Sequence, residues 1–156
     1  MSNAPQEFLD NFAKRIEENQ EILKEDPKNR DAQFEVAFGY QQIGEYRKAI
    51  KEYEKVLKIA TNDYATLNNL ADIYEKVGEP KKAIPYITQL FNQNTEMIEP
   101  ARDTVRILLK AGQLEAAKHA IKTYENYNRE ANLLDDNKMN LISELNRSIL
   151  KYENRQ

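Results

Sequence analysis

The residue types that most often carry out catalysis are sparse in this chain of 156 residues. Cysteine is absent, which excludes a thiolate nucleophile and a cysteine-based metal site. His119 is the single histidine, and its place beside an apolar stripe predicts a solvated side chain, not a metal ligand. Carboxylate pairs such as Glu17 and Glu18 are adjacent in sequence and cannot share one face of a helix. We therefore expect no enzymatic activity, no metal ion and no cofactor.

Unlike the catalytic residue types, side chains that could bind a partner recur at regular spacings. Arg102, Arg106 and Lys110 are spaced by four residues, so on a helix they form one basic row that suits carboxylates. Phe34 and Phe38 are also four residues apart, and on a helix they form an apolar shelf. Both patterns predict binding surfaces only if the surrounding segments are helical.

Composition favours a helical protein and limits its partners. Charged residues make up 31% of the chain, which contains only 4 glycines. The net charge of −3 and the pI of about 5.4 argue against a nucleic-acid partner. No apolar run reaches the ~18 residues that cross a bilayer, so we expect no membrane insertion.

The first residues, Met1–Ala4, lack the basic and apolar regions of a signal peptide. They are either native or a remnant that replaces a removed leader or anchor. We expect a cytoplasmic protein, and the alternative is the soluble part of an anchored or exported one.

The sequence repeats with a period of 34 residues. Gly44, Gly78 and Gly112 mark this period, and apolar or small residues recur around them at the same interval. Such a period predicts one helix–turn–helix unit stacked on copies of itself. Each glycine can adopt the left-handed conformation that ends the first helix of its pair.

Residues at the expected helix ends support this interpretation. Asn29 and Asp63 are predicted N-caps of the first helices of two units. Pro80 suits the first turn of a helix, where its missing N–H costs nothing. Pro85 lies five residues further on, and we expect a kink or a later helix start there.

The three units share an order of residue types: an apolar and a small residue, a large residue, a turn glycine and then an alanine. The matched positions are Val36, Ala37, Tyr40, Gly44, Tyr46, Ala49, Tyr53 and Val56 in the first unit, Leu70, Ala71, Tyr74, Gly78, Ala83, Ile87 and Leu90 in the second, and Val105, Leu108, Gly112, Leu114, Ala117 and Ile121 in the third. This order resembles the tetratricopeptide repeat family, although the family's closing proline is replaced by Thr61 and Thr95. The resemblance implies an all-α fold, a right-handed superhelical α-solenoid of antiparallel helix pairs.

Two flanking helices are predicted around the three repeats. The expected segments are an N-terminal half-repeat-like helix in 1–29, repeats in 30–63, 64–97 and 98–131, and a C-terminal capping helix in 132–156. Residues 126–137 are predicted to be the most loop-like, and Asp135 or Asp136 is predicted to cap the last helix. Terminal repeats need such amphipathic caps because one of their faces has no neighbour.

In this family the first helices of the pairs line a concave groove that usually holds an extended or helical peptide. The resemblance therefore implies a non-enzymatic protein-interaction module, an adaptor or scaffold. The groove positions carried across to this chain are Phe34, Phe38, Gln41, Asn68, Asn69, Asp72, Arg102, Arg106 and Lys110. We expect a peptide with an apolar anchor near the phenylalanines and an acidic group near the arginines.

Each of these predicted contacts has a structural alternative. The phenylalanines could pack against Phe8 or Phe12 of the N-terminal helix. The arginines could pair with Glu99 and Asp103, three residues earlier in each case. The asparagines could be ordinary solvated residues of a helix.

One subfamily binds the carboxylate tails of chaperones through a clamp of lysine, asparagine and arginine side chains. The corresponding residues here are Phe34, Phe38, Asn69, Glu99 and Asp103, of which only the asparagine matches. The two acids would repel the carboxylate that the clamp holds. We therefore expect no binding of chaperone tails.

A second hypothesis is a structural role. The chain would then be a self-associating subunit or a fragment of a larger component of a complex, with a membrane-anchored component as one alternative. This role requires an exposed apolar patch outside the groove, at the ends or on the convex face of the array, and we expect that patch on the terminal helix. The residues predicted for that patch are Leu141, Ile142, Ile149 and Tyr152.

Overall fold

The computed structural model describes residues 5–155, which form eight helices and no strand. The helices are α1 (Gln6–Glu25), α2 (Arg30–Gln42), α3 (Tyr46–Ile59), α4 (Tyr64–Lys76), α5 (Pro80–Gln93), α6 (Ile98–Lys110), α7 (Leu114–Glu130) and α8 (Asp136–Glu153). The predicted class, an all-α fold of helical repeats, is confirmed. The prediction about a signal peptide concerns Met1–Ala4, which lie outside the described residues. Between residues 5 and 155, no helix is both long and apolar enough to cross a membrane.

The chain divides into two compact units, Met1–Ile73 and Tyr74–Gln156. The first unit contains α1, α2, α3 and most of α4. Its buried apolar residues are Ile16, Ala32, Val36, Ala37, Ala49, Tyr53, Val56, Leu67, Leu70, Ala71 and Ile73. The division into three repeats with two flanking segments stays a prediction.

Helix ends in the first unit follow local rules. Asn29 caps α2 by accepting a hydrogen bond of 3.0 Å from the N–H of Ala32. Asp63 caps α4 in the same way, with 2.9 Å to the N–H of Thr66. Both caps were predicted from sequence. Gly44, after α2, has a φ of 82°, the left-handed conformation that glycine adopts without strain.

The Asp63 carboxylate has a second partner in the first unit. Arg30, the first residue of α2, donates to it from Nε at 3.0 Å and also from its terminal nitrogen. Burial alone would raise the pKa of Asp63. Hydrogen bonds from Thr66 and Arg30 outweigh that effect and hold the pKa below its usual value. The carboxylate therefore links the starts of α2 and α4 as an anion.

Close packing of α1 on α2 depends on Gly39. A Cβ placed on this glycine would stand 2.5 Å from Cγ1 of Ile16 on α1, far inside van der Waals contact. Ile16 is the one buried apolar residue of α1 among those described. The absence of a side chain at Gly39 therefore sets the distance between the two helices.

The second unit is built on α5, α6, α7 and α8. Its core cluster contains Phe91, Ala101, Val105, Leu108, Ala117, Ala120, Ile121, Tyr124, Leu141, Leu145 and Ile149. Pro80 occupies the start of α5 as predicted. The later start expected at Pro85 is wrong, because α5 continues through this proline, which lies exposed.

The predicted loop at 126–137 is also largely wrong. Helix α7 continues to Glu130, and its Asn128 is fully buried. The side-chain amide of Asn128 donates to the carbonyl oxygens of Tyr124 at 2.9 Å and Thr95 at 3.3 Å. These bonds satisfy a polar residue inside the helix, so its presence did not indicate a loop.

Helix α8 is held at both ends. Asp135 caps its first turn by accepting from the N–H of Lys138 at 2.8 Å, and the Lys138 ammonium donates to the Asn128 side chain at 2.7 Å. At the other end, Glu153 pairs with Lys118 of α7 at 2.8 Å. These contacts fix the position of α8 against α7.

Candidate functional site

The two phenylalanines predicted as an anchor are part of an aromatic cluster in the first unit. Phe38 contacts Phe12 of α1, with ring centroids 6.0 Å apart. Phe34 stacks on Phe38 at 6.2 Å and meets Tyr53 edge-on at 5.5 Å. The packing alternative therefore describes real contacts, although both rings keep an exposed part. Their role as an anchor for a partner stays a prediction.

Two predicted binding residues of the first unit are engaged with Tyr53. Its hydroxyl donates to Gln41 Oε1 at 2.6 Å and accepts from the Asn69 amide at 2.8 Å. Burial raises the pKa of this tyrosine well above its ordinary value. Asn68 and Asp72 are half-buried on α4, and the Asn68 side chain forms no hydrogen bond among the described residues.

The predicted basic row is on α6, but a carboxylate of its own unit occupies part of it. Arg106 and Lys110 both donate to Glu75, whose side chain is only 11% exposed. Arg106 also pairs with Asp103 at 2.8 Å, as the structural alternative predicted. Burial would raise the pKa of Glu75, but the two cations outweigh it and hold the pKa below its usual value.

The third cation of the row, Arg102, has a different partner from the expected one. Its Nε lies 3.8 Å from Glu144 of α8, whereas Glu99 makes no ion pair among the described residues. This pair joins α6 to α8, and apolar residues of the two helices share one core cluster. Sequence reasoning missed this relationship because it treated the last helix as a cap or an assembly patch and did not pair it with α6.

A groove of about 800 Å³ lies between α6 and α8. Apolar groups line it together with five cationic side chains and one carboxylate, counted over the described residues. Its lining comprises Arg102, Val105, Arg106, Leu109, Lys110, Ala111 and Gly112 on the α6 side and Glu144, Leu145, Ser148, Lys151, Tyr152 and Arg155 on the α8 side. We call this surface the α6–α8 groove.

Two of its cations, Lys151 and Arg155, were missed as site residues. They are exposed, and neither forms an ion pair within residues 5–155. Their spacing of four residues was a usable signal, since it is the same spacing as in the row on α6. Between them in sequence lies Tyr152, which is half-buried on the groove wall.

The apolar patch required for assembly through α8 is not exposed. Leu141 and Ile149 are 2% and 6% accessible, because they belong to the core of the second unit. Ile142 and Tyr152 are half-buried. The prediction of an exposed patch at these four residues is therefore wrong.

His119 is exposed on α7, as its register predicted. Within residues 5–155, no three histidine, cysteine, aspartate or glutamate side chains are grouped so that they could hold a metal ion.

Comparison with known proteins agrees with the helical pattern. Family models described as tetratricopeptide repeat match residues 34–63 and 66–93. These two segments of the chain are tetratricopeptide repeats. The helix pair α6–α7 lies outside both matches, but its turn residue Gly112 has a φ of 75°, close to the 82° of Gly44. A search of curated protein sequences gave no match.

Solved structures of the same fold are similar to this chain at low identity. YrrB, described as a TPR protein with an unusual peptide-binding site, has a TM-score of 0.65 and 16% identity over 92% of this chain and 78% of its own. MamA from Desulfovibrio magneticus RS-1 has a TM-score of 0.62 and 15% identity over 90% and 85%. A putative kinesin light chain of Podosopora anserina has a TM-score of 0.63 and 15% identity over 96% and 92%. At these identities the likeness shows the fold.

Proposed function

We propose that this protein is a non-enzymatic interaction module that binds a peptide segment of a partner protein in the α6–α8 groove. The observation that carries the proposal is the groove itself, about 800 Å³ in volume. Pockets of a few hundred to about a thousand Å³, mostly apolar with a few polar groups, are typical of binding sites. The groove therefore has the size and mixed lining to take one or two side chains of a peptide.

The arrangement of α6 and α8 supports binding without a large rearrangement. The floor of the groove includes Val105 and Leu145, which are 1% and 3% accessible and belong to the core. Contacts with α7 at both ends of α8, Lys138 with Asn128 and Glu153 with Lys118, hold the opposite wall in place. A preformed site loses less entropy on binding than a mobile one, which favours affinity for a short segment. The peptide-binding site named for YrrB is consistent with this use of the fold.

Selection from a random peptide library, followed by NMR mapping of an enriched peptide, tests the proposal. We expect the largest amide shift changes on α6 and α8, at residues that line the groove. The variant Leu109→Ala removes apolar contact from the groove wall and should weaken binding roughly fivefold, since about 1 kcal/mol of contact is lost. Leu150→Ala is the matched control, because Leu150 is 58% exposed and does not line the groove.

Two results would contradict the proposal. One is the absence of any enriched peptide. The other is a bound peptide whose shift changes lie away from α6 and α8 and whose affinity is equal for the two leucine variants.

A further inference from the structure

We propose that the α6–α8 groove selects acidic peptide segments that carry an apolar side chain, and that Lys151 and Arg155 determine this specificity. The inference rests on the proposed function and adds the chemical class of the partner. It also assigns a binding role to the last turn of α8 and to Arg155, two residues beyond the end of that helix.

The charge of the groove is opposite to that of the whole protein. The complete chain has a net charge of −3, whereas the groove lining has five cationic side chains and a single carboxylate among the described residues. A concave surface with one dominant sign of charge concentrates ligands of the other sign and raises their association rate. An anionic segment is therefore the complementary ligand.

The five cations are not equally available. Glu75 already holds Arg106 and Lys110, and Glu144 lies 3.8 Å from Arg102. An incoming carboxylate would have to compete with these internal partners. Lys151 and Arg155 form no ion pair in the described part of the chain. A ligand carboxylate can therefore pair with them without displacing an internal carboxylate.

The apolar requirement follows from the surface beside these two cations. Leu109 and Tyr152 line the groove and are both half-buried, so each leaves part of its side chain open. The Tyr152 hydroxyl lies 3.7 Å from the point where a Cβ on Gly112 would stand, which places the ring against the turn after α6. An aliphatic or aromatic ligand side chain can cover these groups while its acidic neighbours reach the cations.

A peptide fits these observations better than a nucleic acid does. Single-stranded nucleic acids are bound by a basic track with several aromatic side chains on which successive bases stack. The described lining contains one aromatic ring, that of Tyr152, beside aliphatic groups. The proposal therefore assigns the negative charge of the ligand to aspartate and glutamate.

The test is fluorescence anisotropy of the full chain with a labelled synthetic peptide in which aspartate and glutamate surround one phenylalanine. Two further probes are its isostere, with asparagine and glutamine at the acidic positions, and a single-stranded oligonucleotide of similar length. We expect binding of the acidic peptide, at least tenfold weaker binding of the isostere, and an affinity that falls as salt rises.

Charge reversal with matched controls locates the site. The double variant Lys151→Glu, Arg155→Glu should weaken the acidic peptide about tenfold or more. The control Lys122→Glu, Arg147→Glu makes the same change in net charge at exposed residues outside the groove and should leave the affinity unchanged. Thermal unfolding of all variants monitors the fold.

Several results would overturn the inference. If Lys151 and Arg155 only offset the dipole at the end of α8, their reversal will lower the melting temperature and leave peptide affinity unchanged. Tighter binding of the oligonucleotide would assign the groove to nucleic acid. Failure of the acidic peptide alongside a library peptide that still perturbs α6 and α8 would refute this inference alone, whereas failure of every peptide would also refute the proposed function.

Discussion

Two tyrosines, Tyr53 and Tyr124, are completely buried, but their hydroxyl groups have different surroundings. The hydroxyl of Tyr53 bonds to both Gln41 and Asn69. The hydroxyl of Tyr124 has no hydrogen-bond partner among the described residues. Burial raises the pKa of Tyr124 to about 12, so both rings are neutral at physiological pH.

This difference predicts opposite effects of removing each hydroxyl. Tyr53→Phe removes the hydroxyl that bonds to the half-buried amides of Gln41 and Asn69, and it should lower the free energy of unfolding by about 1–2 kcal/mol. Tyr124→Phe removes a polar atom that has no partner, so its free energy of unfolding should be unchanged or higher. Urea denaturation of the two variants measures both values, and equal losses in the two would show that the Tyr53 bonds contribute nothing specific.

Residue-scale features were predictable where the partners are close in sequence. The caps at Asn29 and Asp63 were found correctly because each bonds to an N–H three residues away. The pairing of Arg106 with Glu75 spans 31 residues, and no pattern within one helix could indicate it. The basic row was thus identified, but its occupation by Glu75 was not.

At the scale of elements, the contact between α1 and α2 depends on the missing side chain at Gly39. Gly39→Ala should lower the free energy of unfolding by about 1–3 kcal/mol, because the new methyl group overlaps Ile16. Chemical denaturation measures this loss. Alanine is otherwise the better helix residue, so the overlap alone accounts for the sign.

A double-mutant cycle isolates the overlap. In an Ile16→Ala background the clash is absent, and Gly39→Ala should raise the free energy of unfolding by about 1 kcal/mol through helix propensity. If Gly39→Ala has the same effect in both backgrounds, the close approach of α1 to α2 does not depend on this glycine.

Elements were predicted well where the period of 34 residues applies and less well at its edges. Helix α7 extends past the predicted loop because Asn128 finds buried carbonyl partners on α7 and at Thr95, which lies 33 residues earlier. Helix α8 was predicted as a cap, yet its exposed face also forms one wall of the groove. Its amphipathic pattern shows which side is buried but not what the other side faces.

At the scale of the whole molecule, each unit contains a carboxylate that stays ionised because cations hold it. The pKa of Asp63 in the first unit and that of Glu75 in the second are both lowered in the folded protein. The unfolded chain therefore binds more protons than the folded one at low pH. The stability that these groups supply is complete well above their unfolded pKa values of about 4 and is lost as the pH falls through the folded values.

We therefore expect the free energy of unfolding to decrease progressively below about pH 4. Asp63→Asn keeps a good N-cap but removes the anion that holds Arg30, so it should flatten this acid dependence. Asp136→Asn is the control, since Asp136 is exposed and forms no ion pair among the described residues. Urea denaturation across the acid range measures the slopes. Identical slopes for Asp63→Asn and the original chain would rule out Asp63 as a source of the effect.

The fold class and the presence of an interaction surface followed from the sequence because every repeat encodes the same helix pair. The predicted binding residues were drawn from the first helix of each pair alone. The cations Lys151 and Arg155 lie outside that pattern, and contacts between residues far apart in sequence, such as Arg102 with Glu144, show that their helix faces α6.

The double role of Asp63 affects where the protein can be shortened. Its carboxylate begins α4 through the N–H of Thr66 and also holds Arg30 at the start of α2. A truncation within the α3–α4 connection would therefore loosen the beginning of the first helix pair, although the deleted residues lie far along the chain. Expression boundaries for an isolated first unit belong beyond Ile73, where that unit ends.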